Sequence, residues 1–224
     1  MVINNNDDGM SRFFSKVYLW MFIGLLVSGG VAYYTSVTPG VRGVVYSAFN
    51  WLLILELVIV IAFSALRKKV SPLIAKILFI VYASISGLTL SSIFLVYRLD
   101  SIGMVFLSAA LMFGLMAAYG YITKTNLSSF GKILIFALLA VIVMSLINMF
   151  IGNGTFGIVI SIISVVVFLG LTAYDMQNLK AMYDYYANNE NELSKVAIYG
   201  ALDLYLDFIN IFLRLLQLFG KSRD

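Results

Sequence analysis

Seven apolar runs, each long enough to cross a lipid bilayer, leave this chain few folds to choose from. They lie at approximately 17–36, 45–66, 73–97, 102–122, 132–151, 156–180 and 196–219, with short connections between them. A transmembrane helix needs about 20 consecutive, predominantly apolar residues, so the expected fold is an all-α membrane protein, a bundle of seven transmembrane helices. The chain has 224 residues, 62% of them hydrophobic and only 12% charged. That length is used up by seven crossings and their turns, which leaves a polar N-terminal tail over residues 1–15 and a single seven-helix domain over 16–224. The tail carries Asn4, Asn5, Asn6, Asp7 and Asp8 and reads as mobile. The first run is too long for a signal-peptide core and no small-residue cleavage pattern closes it, so it counts as a mature helix.

The chain contains neither cysteine nor histidine. Thiolate and imidazole metal sites, the usual haem ligation, thiol redox chemistry and a Ser-His pair are thereby excluded, and neither an enzymatic activity nor a cofactor is expected. What remains is carboxylates, amides, hydroxyls and a few basic residues, the equipment for protons and hard cations. The net charge of +4 does not point to nucleic acid, because the basic residues are scattered at helix ends. They report orientation instead. Arg12, Lys16, Arg67, Lys68, Lys69, Lys76, Lys124, Lys132, Lys180 and Lys195 fall on the N-terminal side, against Arg42, Arg98, Lys221 and Arg223 on the other. The N-terminus is therefore expected in the cytoplasm and, after seven crossings, the C-terminus outside. The last run is the least hydrophobic, and a re-entrant segment with a cytoplasmic C-terminus is the alternative.

Four acids interrupt the apolar runs: Glu56 in the second, Asp175 in the sixth, and Asp203 and Asp207 in the seventh. An Asp near a helix centre costs roughly 2.5–3.5 kcal/mol on insertion scales, so each must face the bundle interior or water and find a partner. Asp203, Asp207, Asn210 and Arg214 are spaced 4, 3 and 4 apart, which gathers them into one narrow stripe on a helix. Such a stripe on an otherwise apolar helix belongs near the centre of a bundle, where it could line a cavity. Asp175 and Asn178 form a second polar face that could meet it. One reading gives these groups a purely structural role, protonated or paired with Arg67, Arg214 or tyrosines. The other is chemical: two aspartates close together in a low-dielectric site cannot both ionise easily, so they share a proton and, on losing it, repel or accept a divalent cation. Small residues on the third run (Ser84, Ser86, Gly87, Thr89, Ser91, Ser92) and the first (Gly24, Gly29, Gly30) read as close helix packing.

At these positions the sequence resembles the Bax inhibitor family, also called the transmembrane Bax-inhibitor-motif proteins. The resemblance is carried by Leu-Tyr-Leu-Asp-Phe-Ile-Asn-Ile-Phe at 204–212, Ala-Tyr-Asp-Met-Gln at 173–177, Gly-Leu-Thr-Leu-Ser-Ser at 87–92, Thr-Lys-Thr-Asn-Leu-Ser at 123–128 and the opening segment from Phe14 to Gly24. It covers nearly the whole chain after the tail. It implies six helices wrapped around a central C-terminal helix, and a pH-dependent calcium leak through a pair of aspartates matching Asp175 and Asp207. Arg67 would be the closed-state latch, and Glu56 falls where the family is acidic. Asp203 departs from many bacterial relatives, which carry a small polar residue there, and is read as an auxiliary acid beside the pair. The lysine-rich C-terminal tail of some animal members is absent, since the chain ends Lys221, Ser222, Arg223, Asp224.

The function expected on this basis is a pH-sensitive calcium-permeable channel or leak. Asp175 and Asp207 are its proton switch and calcium site, Asp203 and Glu56 its auxiliary acids, and Arg67 its latch. Asn178, Asn210 and Arg214 complete the polar stripe. The expected surroundings are the lipid bilayer of a bacterial plasma membrane, protons and calcium, with a monomer as the default and membrane-protein partners unspecified. An interaction protein acting in cell death or membrane-protein quality control without transport is the main alternative, and a proton-coupled transporter is another. An intramembrane aspartyl protease fits less well: Asp207 follows Leu204, Tyr205 and Leu206 where a Gly-x-Gly pattern is normal, and no Pro-Ala-Leu segment exists.

Overall fold

The computed structural model describes residues 5–67 and 69–223, with side chains from Asp8 onward; Asn4, Lys68 and Asp224 lie outside the described residues. The elements are helices: α1 (Asn5–Val37), α2 (Pro39–Ser47), α3 (Phe49–Leu66), α4 (Pro72–Leu90), α5 (Ile93–Val96), α6 (Leu99–Ile122), α7 (Ser128–Ile151), α8 (Gly154–Tyr186) and α9 (Glu190–Phe219). Seven stretches are long and apolar enough to cross a membrane: α1, α3, α4 through α5, α6, α7, α8 and α9. The chain is an all-α membrane protein with seven membrane-spanning helices.

Local chemistry explains most of the boundaries. Pro39 follows extended Thr38 and opens α2. Pro72 opens α4 behind Ser71, whose hydroxyl accepts from the Ile74 N–H at 3.4 Å. Proline at a first helical position gives up an N–H that has no intrahelical partner anyway. The third run does not continue unbroken to 97. Ser91 and Ser92 donate their hydroxyls to the Leu88 and Thr89 carbonyls at 2.6 and 2.8 Å, an alternative to the helical ladder that ends α4 before the single turn of α5. α7 stops at Gly152, whose φ of 68° lies in the left-handed region, and the Asn153 side chain accepts from Phe156 N–H at 3.0 Å to start α8.

The N-terminal tail is shorter than its polarity suggests. Residues 5–15 are the first turns of α1, because Phe13 and Phe14 are buried and Phe13 packs its ring 5.4 Å from that of Tyr183 on α8. Burying two aromatic side chains outweighs the weak helix propensity of the Asn-Asp stretch before them.

The chain divides into two compact units: Met1–Tyr97 with Met182–Tyr205 and Arg223–Asp224, and Arg98–Ala181 with Leu206–Ser222. In the first, Tyr205 of α9 sets its ring edge-on against Phe79 and Tyr82 of α4, with centroids 5.8 and 6.1 Å apart. α1 approaches α4 closely where Gly87 lies against the Ser28 carbonyl and Val31, and where Gly24 lies under Phe79. Gly29 and Gly30 meet nothing within 4 Å, so the small-residue packing reading holds for part of α1 only. In the second unit, Phe106 and Phe113 of α6 meet Phe208 of α9 edge-on at 5.1 and 5.8 Å. Gly120 lets α6 touch the Ala173 backbone of α8.

α9 is the most enclosed of the seven spans: 72% of its apolar window is buried, against 6% for α3 and for α7. It is one unbroken helix of 30 residues. Near its end the Gln217 Oε1 accepts from Ser161 near the start of α8 at 2.7 Å, and Lys221 N–H donates to Ser101 Oγ at the start of α6.

Candidate functional site

Each acid that interrupts an apolar run sits on a helix whose other faces are apolar, so the fold decides what the carboxylate meets. In the first unit, Arg67 follows the last turn of α3 and its guanidinium reaches Asp203 on α9, Nη2 to Oδ2 at 2.5 Å. Both side chains are about a third exposed, 35% and 31%. The guanidinium also lies over the Tyr199 ring, 4.9 Å from its centroid, and Phe63 packs on that ring at 4.5 Å. Tyr199 is one turn before Asp203 on α9, so a single helix face presents an aromatic platform and a carboxylate to one arginine, a pairing that suits its flat, delocalised charge. Arg67 Nε and the Tyr199 hydroxyl are buried and have no hydrogen-bond partner among the described residues. Buried polar groups normally find partners, so this cluster leaves hydrogen-bonding capacity unused.

Glu56, also in the first unit, is treated differently. It lies half-buried in the middle of α3, and its Oε1 is 2.7 Å from Thr89 Oγ1 on α4. Thr89 Oγ1 is also 2.9 Å from the Ser86 carbonyl. The Ser86 side chain is a second hydrogen-bond partner of Glu56. Its partners are therefore neutral hydroxyls, and among the described residues no cation forms an ion pair with it.

Asp175 and Asp207 both belong to the second unit. Asp207 is 4% exposed on the most enclosed helix, and Asp175 is half-buried on α8. The rest of the polar stripe is satisfied piecemeal. Asn210 donates to the Leu206 carbonyl of its own helix at 2.8 Å. Arg214 donates to Ser145 Oγ on α7 at 3.0 Å and to Gln217 Oε1 at 3.3 Å. Asn178 lines a polar hollow with Tyr174 and Gln177. Among the described residues no three acidic side chains converge on a point that could hold a metal ion. A cation at Asp175 and Asp207 would meet at most two carboxylates, and the six to eight oxygens calcium takes would have to include water or carbonyl groups.

Several participants were not singled out as site residues from the sequence. Tyr199 gave no signal beyond being aromatic, and Thr89 was assigned to helix packing with its small neighbours. Gln177 stands in the 173–177 motif, but nothing in its type shows that its amide grips a loop. Ser145, Ser161 and Gln217 are single polar residues in apolar helices, where the signal was present but its partner was not.

Comparison with known proteins places this arrangement. The model of the family described as inhibitor of apoptosis-promoting Bax1 matches residues 10–224. The chain is 42% identical to the inner membrane protein YbhL of Escherichia coli strain K12 over 219 residues, covering 96% of this chain and 94% of that protein. It is 39% identical to an uncharacterized protein of Borreliella burgdorferi, over 96% of this chain and 94% of the relative, and 38% identical to one of Deinococcus radiodurans, over 97% and 93%. Similarity of this extent runs through all seven spans and both groups of acids, and the chain belongs to the Bax inhibitor family.

Proposed function

We propose that the protein is a pH-sensitive calcium-permeable channel or leak of a bacterial inner membrane, its N-terminus in the cytoplasm and its C-terminus outside. The observation that carries the reading is Asp207, a carboxylate 4% exposed at the midpoint of the most enclosed membrane helix, in the same packing unit as Asp175. A carboxylate so placed is expensive in lipid, and its position favours a role in moving ions or protons. Asp175 and Asp207 form the proton switch and the cation site. Protonation closes the path through a shared hydrogen bond, and loss of the proton leaves two carboxylates that repel or take a passing cation. Calcium is cargo here, and a site with at most two carboxylates suits passage, which requires binding weak enough to release the ion. Arg67, held at Asp203 one helical turn before Asp207, is the latch of the closed form. Glu56 is an auxiliary acid.

The test is calcium entry into liposomes containing the purified protein, measured across neutral pH for wild type, Asp175→Asn and Asp207→Asn. The expected result is a protein-dependent flux that grows as pH rises in wild type and loses its pH response in both variants. Unchanged flux and pH response in the variants would remove the carboxylate switch. No flux above empty liposomes at any pH would favour the alternative, an interaction protein acting in cell death or membrane-protein quality control without transport.

A further inference from the structure

The second unit contains a cavity of 320 Å³, lined by Lys124, Asn126, Ser128, Tyr174, Gln177 and Asn178, that the reading above does not use. Its walls are fixed in advance. The Gln177 side chain grips the connection between α6 and α7 from both ends, Oε1 accepting from Leu127 N–H and Nε2 donating to the Thr125 carbonyl, each at 2.8 Å. Asn126 Oδ1 accepts from Ser128 N–H at 2.9 Å. The Tyr174 ring lies flat on Gly131, where a Cβ would fall 2.4 Å from the ring, so only glycine there lets Tyr174 take its place in the wall. A cavity whose shape is set before a ligand arrives binds at low ordering cost.

The chemistry left facing the cavity is one-sided. Gln177 is occupied at both ends and the Asn126 oxygen is taken, which leaves the Lys124 ammonium, the Asn126 amide N–H groups, the Asn178 amide with its one acceptor oxygen, and the Ser128 and Tyr174 hydroxyls, a set dominated by donors. None of the lining residues is acidic. The cavity also adjoins the first turn of α7, a helix of 24 residues whose N-terminal end carries partial positive charge. Lys180, bonded to the Tyr121 carbonyl and set over the Tyr121 ring at 4.9 Å, and Lys132, one turn into α7, add positive charge nearby, set against the acid Asp175 that follows Tyr174 on α8. A lysine and several neutral donors around a space of this size suit a phosphate group with a small attached moiety. Position narrows the choice further. The cavity sits where the span of α6 ends at Ile122 and that of α7 begins at Ser128, and exposed Tyr119 and Tyr121 mark the level of an interfacial aromatic belt.

We propose that this cavity binds a phosphate-bearing anion, of the kind an acidic phospholipid headgroup presents at that depth. The proposal does not depend on the protein carrying calcium, and its test reads binding alone. Intact protein released from detergent into a mass spectrometer is compared after incubation with phosphatidylglycerol and with phosphatidylcholine. The variants are Lys124→Gln, which removes the charge, and Ala181→Phe, which places a ring in the cavity without changing charge, since Ala181 is an exposed residue that also lines it. A parallel arm measures thermal unfolding with inorganic phosphate. Preferential retention of phosphatidylglycerol, reduced on the order of fivefold by Lys124→Gln and equally impaired by Ala181→Phe, establishes a lipid phosphate as the ligand. Stabilisation by inorganic phosphate that both variants abolish, with no lipid preference, establishes a soluble phosphate instead. Equal retention of both lipids with no phosphate effect overturns the proposal. So does a lipid preference that Lys124→Gln weakens and Ala181→Phe leaves intact, since that is surface attraction without a site.

Discussion

Glu56 and Asp203 are both acids inside membrane spans of the same packing unit, yet the fold answers them in opposite ways. Asp203 receives a guanidinium backed by an aromatic ring, while Glu56 receives the hydroxyls of Thr89 and Ser86. A guanidinium brings a full positive charge to its carboxyl group, whereas hydroxyls bring hydrogen bonds and no charge. Two carboxyl groups of one packing unit are thus given partners of different charge, and spacing along the helices does not announce which is which.

The comparison can be broken most directly at Arg67. Arg67→Met leaves Asp203 without its cation. The pair is about a third exposed, so the loss should fall between the roughly 0–1 kcal/mol of a surface pair and the roughly 3–5 kcal/mol of a buried one, at about 2 kcal/mol. Thermal unfolding in detergent measures it, and Arg67→Met combined with Asp203→Asn should recover part of the loss. If the double variant is no better than the single one, the damage comes from lost packing on Tyr199 and not from the stranded charge.

A smaller effect separates Glu56 from a charged role. Glu56→Ala should cost about 1 kcal/mol by removing the hydrogen bond that joins α3 to the Thr89 hydroxyl of α4, whereas Glu56→Gln, which keeps the shape and a hydrogen-bonding carbonyl, should stay within about 0.5 kcal/mol of wild type. If Gln proves as damaging as Ala, Glu56 is held as an anion and the contrast with Asp203 collapses. The smallest effect belongs to the aromatic platform. Tyr199→Leu keeps most of the apolar contact with Phe63 but removes the ring under the guanidinium, for an expected loss of about 0.5–1 kcal/mol. A loss that vanishes in the Arg67→Met background would assign it to the cation and ring together.

Composition and periodicity were enough to read seven spans, their order and the enclosed position of α9, because a span of about 20 apolar residues has almost no other use and a polar stripe on an apolar helix must be shielded from lipid. The helical start at Asn5 was hidden because what stabilises it, Phe13 on Tyr183, joins residues far apart in the chain. The break between α4 and α5 was hidden because serines in a span can either pack or bend back to the backbone, and their spacing does not distinguish the two. The acids were legible as costly residues. Their individual partners were not: one arginine can serve any of several carboxylates, and only the fold puts Arg67 on Asp203 and Arg214 on Ser145 and Gln217.

The end of the chain has a practical consequence for mapping the molecule in cells. Lys221 accepts from Arg98 N–H at 3.0 Å and donates to Ser101 Oγ at 2.9 Å, so the last residues are fastened beside the connection that precedes α6. A reporter enzyme fused to the C-terminus and an epitope inserted at that connection must therefore register in the same compartment. Either one alone fixes the sidedness of every other loop, and disagreement between the two would reveal a fusion that has pulled the terminus away from its mooring.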